Sequence, residues 1–113
     1  MDFNEYQLKS RKTALYPYAG DNLPYLGLGI VEESGEVAGK VKKFIRDYNM
    51  KSIDDLTNEQ KQDLAKEVGD VLWYISQIAT ETGFELNEIA EMNIEKLYSR
   101  LDRKAIGGSG DNR

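Results

Sequence analysis

Leu26-Gly27-Leu28-Gly29-Ile30-Val31-Glu32-Glu33-Ser34-Gly35-Glu36-Val37-Ala38, continuing as Gly39-Lys40-Val41-Lys42-Lys43-Phe44, is the stretch that decides the fold. At about 100° per residue, Leu26, Ile30, Val37, Val41 and Phe44 fall on one stripe, the pattern of an amphipathic helix. Glu33 falls in the middle of that stripe, with Glu36 at its edge and Glu32 farther round. A lone carboxylate on a face meant for burial costs several kcal/mol unless Lys or Arg pairs with it or a metal binds it. This helix should run from residue 22 or 24 to residue 46.

Roughly thirty residues on stands a second acidic pair, Glu67-x-x-Asp70. Thr57-x-x-Gln60 reads as the capping box that opens its helix, and Gly83 as the stop after Thr82. The stripe here is Leu64, Val68, Val71, Ile75 and Ile78, and Glu67, Asp70 and Tyr74 line one flank at i, i+3 and i+7. Trp73 projects from the opposite side and is read as packing. A helix apolar over so much of its circumference is central in a bundle or buried at a subunit interface. Carboxylates three apart share one helix face, so two such helices side by side aim four carboxylates at one small volume. Like charges so close repel and call for a cation. Oxygen-only ligands select a hard ion, Mg2+ or its substitute Mn2+, ahead of zinc or copper.

The rest of the chain follows the same period. Residues 2–13 read as a short helix anchored by Phe3, Tyr6 and Leu8, and Tyr16-Pro17-Tyr18-Ala19-Gly20-Asp21 as a loop. Residues 85–104 read as the last helix, with Leu86, Ile89, Ala90, Ile94, Leu97 and Leu101 as its core face. No strand-like alternation of any length occurs. The expected class is all-α, a bundle of about four helices completed by oligomerisation. Residues 1–106 form the single domain and residues 107–113 a glycine-rich tail.

Composition narrows the function. The 113 residues carry a net charge of −5, which argues against gripping a nucleic-acid polymer. No cysteine and no histidine are present, which excludes disulfides, thiolate or imidazole zinc sites and Ser-His catalysis. The opening Met1-Asp2-Phe3-Asn4-Glu5 does not read as a signal peptide, and no apolar run approaches spanning length. The expectation is a cytoplasmic protein with no membrane partner. Local basic groups, Lys40, Lys42, Lys43 and Arg46 among them, suit a phosphorylated small molecule. Lys40 either compensates phosphate charge or makes an ordinary i,i+4 pair with Glu36, the simpler of the two readings. Neither an EF-hand loop nor a G-x-x-x-x-G-K-[ST] phosphate loop is present.

The segment Leu26 to Ala38, followed by Glu67-Val68-Gly69-Asp70-Val71-Leu72-Trp73-Tyr74, resembles the MazG-like nucleoside triphosphate pyrophosphohydrolases of the all-α NTP pyrophosphatase superfamily, whose pattern is EExxE, a spacer, then ExxD. The resemblance extends from Tyr16 through Asn93-Ile94-Glu95-Lys96-Leu97 to the closing Gly-Asp-Asn-Arg. It implies magnesium-dependent hydrolysis of a ribo- or deoxynucleoside triphosphate to monophosphate and pyrophosphate. It also implies Glu33, Glu36, Glu67 and Asp70 as metal ligands, with Glu32 as the remaining acid, outside the ligand set or orienting water. Tyr74, Asn93 and Lys96 occupy positions that face the nucleotide in similar enzymes; Asn93 reads either as a contact to base or sugar or as a polar interruption at a helix crossing. The resemblance further implies a homodimer or homotetramer. The tail, with Arg113, either folds over the triphosphate or frays. A pyrophosphatase selective for dUTP, dCTP or a phosphoribosyl nucleotide is the alternative within the class. A non-catalytic helical protein that binds nucleotide or metal is the alternative outside it.

Overall fold

Each helix begins where a side chain meets the backbone donors that a helix start leaves free. In the computed structural model, which describes all residues Met1–Arg113, Asp2 accepts the Glu5 amide at 2.8 Å and opens α1 (Phe3–Arg11). Asn22 does the same for α2 (Leu23–Tyr48), with Pro24 in its first turn. Asn49 ends α2 in the left-handed conformation, at φ +53°. A short 3-10 turn (Ile53–Asp55) follows. Thr57 and Gln60 then form the reciprocal capping box of α3 (Asn58–Thr82), at 3.1 and 2.8 Å, and Gly83 at φ +80° stops it. The last helix, α4, spans Leu86–Asp102. No strand is present, and the all-α class stands.

Two long helices of 26 and 25 residues form an antiparallel hairpin, α2 on α3. The centre of the fold is α3, which packs against all three other helices, whereas α2 touches α3 alone. Two α1 side chains cap α4: Gln7 Oε1 accepts the Leu86 amide at 2.7 Å and Asn4 Oδ1 the Asn87 amide at 3.0 Å. The α1–α3 seam is polar where it is deepest. Ser76 and Gln77 are fully buried, and Ser10 Oγ lies 3.0 Å from both Ser76 Oγ and Gln77 Nε2. Gln77 Oε1 accepts from Arg11 at 3.2 Å, so the buried amide is satisfied at both ends.

The stripe on α2 is inward as its period requires, with Leu26 and Phe44 buried and Ile30, Glu33, Val37 and Val41 half-buried. Three other apolar faces differ from the expectation, the first being that of α1, where Phe3 and Leu8 are exposed and Tyr6 alone of the three anchors is half-buried. Val68 on α3 is exposed, and on α4 only the N-terminal end docks: Leu86 is buried while Ile94, Leu97 and Leu101 face outward. The physical reason is that α4 meets α1 and α3 but never α2, so no helix of the same chain covers the apolar face of its C-terminal half. Only 11 of 113 residues are buried. The radius of gyration is 17.0 Å, against about 13 Å for a compact chain of this length. Together these leave a broad apolar surface uncovered in one copy.

Candidate metal centre

The antiparallel α2–α3 crossing sets Glu33 opposite Glu67 and Asp70. One carboxylate oxygen from each lies within 4.8 Å of the others. Glu33 and Glu67 are half-buried and Asp70 is exposed. Burial raises the Glu33 pKa above the ordinary glutamate value, and the charges of Asp70, Glu32, Glu67 and Glu36 raise it further. Both causes disfavour the ionised form of Glu33, burial more than the neighbouring charges, and a divalent cation would relieve both. The donor set is all oxygen in a chain without histidine or cysteine, so the residues present fit a hard divalent ion. Glu32 and Glu36 are exposed and lie outside the tight trio, although Glu33 feels both charges.

Lys40 does not pair with Glu36, its neighbour one turn back. Its Nζ reaches across the helices to Glu67 Oε1 at 3.5 Å. The pairing expected from the i,i+4 pattern is thus replaced by one between helices, because the crossing brings Glu67 to the face on which Lys40 stands. Glu36, Lys40, Lys43 and Glu67 line one groove of about 300 Å³ between the C-terminal half of α2 and the start of α3.

An aromatic group borders the cluster. The Tyr74 ring packs directly on Gly29, so close that a Cβ there would sit 2.0 Å from the ring. Trp73 meets Tyr74 edge-on at 4.9 Å, and its indole N–H donates to Thr13 Oγ1 at 2.8 Å, consistent with a packing role. Tyr16 stacks on Tyr25 at 5.2 Å. Burial raises the Tyr74 pKa, followed by contributions from Tyr25, Glu33 and Glu32. Tyr6 was read only as an anchor of α1. In the structure it also feels the charge of Asp70, which adds to burial in raising its pKa. Its neighbours in sequence carry no signal of this, since Asp70 is 64 positions away.

Asn93 and Lys96 do not join the acidic trio within one chain. They line a separate cavity of about 420 Å³ with Phe84, Ile89, Met92 and Asp111. The tail borders that cavity through Asp111 and does not line the trio. Asp111 Oδ1 is 3.1 Å from Lys96 Nζ and 3.2 Å from Arg100 Nη2, and Lys96 and then Arg100 hold its carboxyl below the usual aspartate value. Arg100 is only 4% exposed, and its Nε has no partner. Arg113 spends its guanidinium on the carbonyls of Ile106, Gly107 and Gly110, and lines neither the trio nor the groove beside it. Sequence reading counts Arg100 among the basic groups near the C-terminus but misses its burial and its pairing with Asp111. The one available signal was an arginine on the apolar side of α4, at i+3 from Leu97.

A second network fixes the approach to α2. Glu81 accepts from the Tyr16 hydroxyl, from the Asn22 amide at 2.7 Å and from the Gly20 amide at 3.4 Å. Burial opposes ionisation of Glu81, but these donors and Arg11 hold its pKa below the ordinary value. The loop that starts α2, and hence the register of Glu33, is tied to α3 through this carboxylate.

Comparison with known proteins agrees with the geometry. The chain is 43% identical over 118 residues to the Gene 37 protein of Mycobacterium phage L5, covering the full length of both. It is 32% identical over 81 residues to the uncharacterized protein YvdC of Bacillus subtilis (strain 168), covering 70% of this chain and 76% of that one. No solved structure matches the chain significantly. The family model of the MazG nucleotide pyrophosphohydrolase domain matches residues 23–103, which include α2, α3 and the acidic trio. On that match, and with Glu33, Glu67 and Asp70 drawn together between α2 and α3, the chain belongs to the MazG nucleotide pyrophosphohydrolase family.

Proposed function

We propose that this protein hydrolyses a ribo- or deoxynucleoside triphosphate to its monophosphate and pyrophosphate, with Mg2+ as the cofactor. The observation that carries the reading is the convergence of Glu33, Glu67 and Asp70 within 4.8 Å in a chain of this family. In the reaction the elements of water are added across the α–β phosphoanhydride bond. The divalent ion, when bound, neutralises phosphate charge and lowers the pKa of coordinated water. Glu33, Glu67 and Asp70 would hold it, with Glu36 one turn along α2 able to complete the set. Glu32, exposed beside them, orients water by hydrogen bonding. Tyr74 walls the site, and Lys40 meets the phosphate charge left over.

Asn93 and Lys96 contact the nucleotide only if a second copy brings its α4 to this α2–α3 hairpin, so the working form is a homodimer or homotetramer. The uncovered apolar residues, Leu28 and Val31 at 75% and 70% exposure among them, support that assembly. Nucleotide pools and Mg2+ make the cytoplasm its compartment. No helix is long and apolar enough to cross a membrane.

The test is a panel of ribo- and deoxynucleoside triphosphates incubated with and without Mg2+, resolving monophosphate plus pyrophosphate from diphosphate plus orthophosphate. Metal-dependent pyrophosphate release is expected, lost in Glu67→Gln and Asp70→Asn while helical circular dichroism is kept. Full activity in both variants would refute the site. No turnover of any nucleotide by folded protein would refute the activity. Sedimentation analysis checks the assembly, and a monomer at high concentration would overturn it.

A further inference from the structure

We propose that Lys40 is an exchangeable internal counter-ion: it neutralises Glu67 while no metal is bound, and is released to phosphate when a divalent ion takes Glu67. The inference rests on the reading of Glu33, Glu67 and Asp70 as a metal site and adds a coupling between metal and substrate.

Four observations carry it. First, Lys40 is the one basic side chain paired with any acid of the cluster. Second, Glu67 makes no other ion pair, and neither side chain nor backbone donates a hydrogen bond to it, so the lysine is its whole compensation in the protein alone. Third, the N···O distance of 3.5 Å exceeds the 2.7–2.9 Å of a tight charge-assisted bond. The ammonium is attracted but not locked. Fourth, Lys40 shares the groove of about 300 Å³ with Glu36, Lys43 and Glu67. Its four-carbon stem can swing there without repacking α2, because the side chain is 33% exposed.

The consequence is thermodynamic. A cation and Lys40 compete for one carboxylate, so the lysine weakens metal binding by the free protein. A phosphate that captures the lysine removes the competitor and tightens the metal. By linkage, the metal tightens the phosphate by the same factor. An enzyme wired this way binds its metal more tightly once the substrate has arrived.

The experiment is calorimetric titration of Mn2+, alone, into the nucleotide-free protein and its variants. Lys40→Met keeps the stem and removes the charge, and is expected to bind Mn2+ roughly three- to tenfold more tightly than the parent. Lys43→Met removes the same charge from the same groove without the contact, and is expected to shift affinity much less. In the Glu67→Gln background, Lys40→Met is expected to change nothing further. The apparent KM for magnesium-nucleotide is expected to rise in Lys40→Met, opposite in sense to the gain in metal affinity. If Lys40→Met binds Mn2+ equally or more weakly, or if Lys43→Met matches it, the exchange is refuted while the metal site survives. If neither the parent nor Lys40→Met binds Mn2+, the metal reading itself fails and the exchange falls with it. Lys40→Gln, equally neutral but polar, repeats the test should Lys40→Met not fold.

Discussion

Replacing Gly29 by alanine tests how the aromatic wall of the site is held. A Cβ at position 29 would sit 2.0 Å from Cε1, 2.3 Å from Cζ and 2.7 Å from Cδ1 of Tyr74. The ring would have to retreat by about 1.4 Å to reach ordinary contact at 3.4 Å, yet Trp73 stands edge-on against it. Forcing extra volume into a packed site costs about 1–3 kcal/mol. Against that, glycine to alanine inside a helix gains about 0.8–1.0 kcal/mol. A Cβ this far inside contact distance puts the overpacking cost in the upper part of its range, about 2–3 kcal/mol. The balance is a net loss of about 1–2 kcal/mol, each kcal/mol being worth about 4–8 °C in melting temperature for a domain near this size. In a Tyr74→Ala background the obstacle is gone and only the helix gain remains, so Gly29→Ala should then stabilise by about 1 kcal/mol. The assay is a double-mutant cycle in urea denaturation followed by circular dichroism. A change of sign between the two backgrounds is the expected result. Gly29→Ala that is neutral or stabilising with Tyr74 intact would refute the close approach and with it the placement of Tyr74 beside Glu33.

Three more outcomes follow from the charges and hydrogen bonds. The Glu33 pKa is raised in the folded protein; above the ordinary glutamate value the unfolded chain has released a proton that the fold still holds, so stability falls as pH rises through the folded pKa. In chelator, Glu33→Gln should therefore melt higher than the parent at pH 7 and lose that slope, and a lower melting temperature would count against the crowding. Glu81 has the opposite sign: its pKa is depressed, so its contribution is present above the ordinary value and disappears as pH falls through the folded one. Glu81→Ala leaves the Tyr16 hydroxyl hydrogen and the Asn22 amide without an acceptor, although Arg11 still donates to the Tyr16 oxygen, and should cost about 1–3 kcal/mol, with amide exchange accelerated in residues 16–22. Unchanged exchange there would show that the loop is held by other contacts. Asp111→Asn weakens the tail's hold on Lys96 and Arg100, so proteolysis within residues 107–113 should quicken, more at low salt than at high. An unaltered cleavage rate would mean that Arg103 and Arg113, which also bond the tail, suffice.

The arrangement divides labour between two parts of the molecule. The α2–α3 hairpin carries the acids and Lys40. In α4 and the tail, the folded chain closes Asp111 over Lys96 and Arg100. Gly108 and Gly110, at φ +87° and +85°, provide the left-handed turns that bend the glycine-rich tail back and lay Asp111 over Arg100.

What sequence alone determined was everything written in local hydrogen bonds and period. Thr57 with Gln60 and Gly83 bond to residues only a few positions away, so both ends of α3 were legible, as were the starts of α1 and α2, whereas α1 and α2 end at Arg11 and Tyr48 rather than at residues 13 and 46. The position of Glu33 on the α2 stripe, and the i, i+3 spacing of Glu67 and Asp70, were equally legible because a helix repeats every 3.6 residues. The tertiary structure alone decided the partners. Lys40 passes over Glu36 for Glu67, Tyr6 feels Asp70, Gln7 and Asn4 cap α4, and Arg100 is buried under Asp111. The same holds for the α4 stripe, whose outer half has the right period but no helix of its own chain to meet. The physical reason is common to all of these. Periodicity says which face of a helix is apolar, but the crossing and register of two helices far apart in sequence select which residue that face touches.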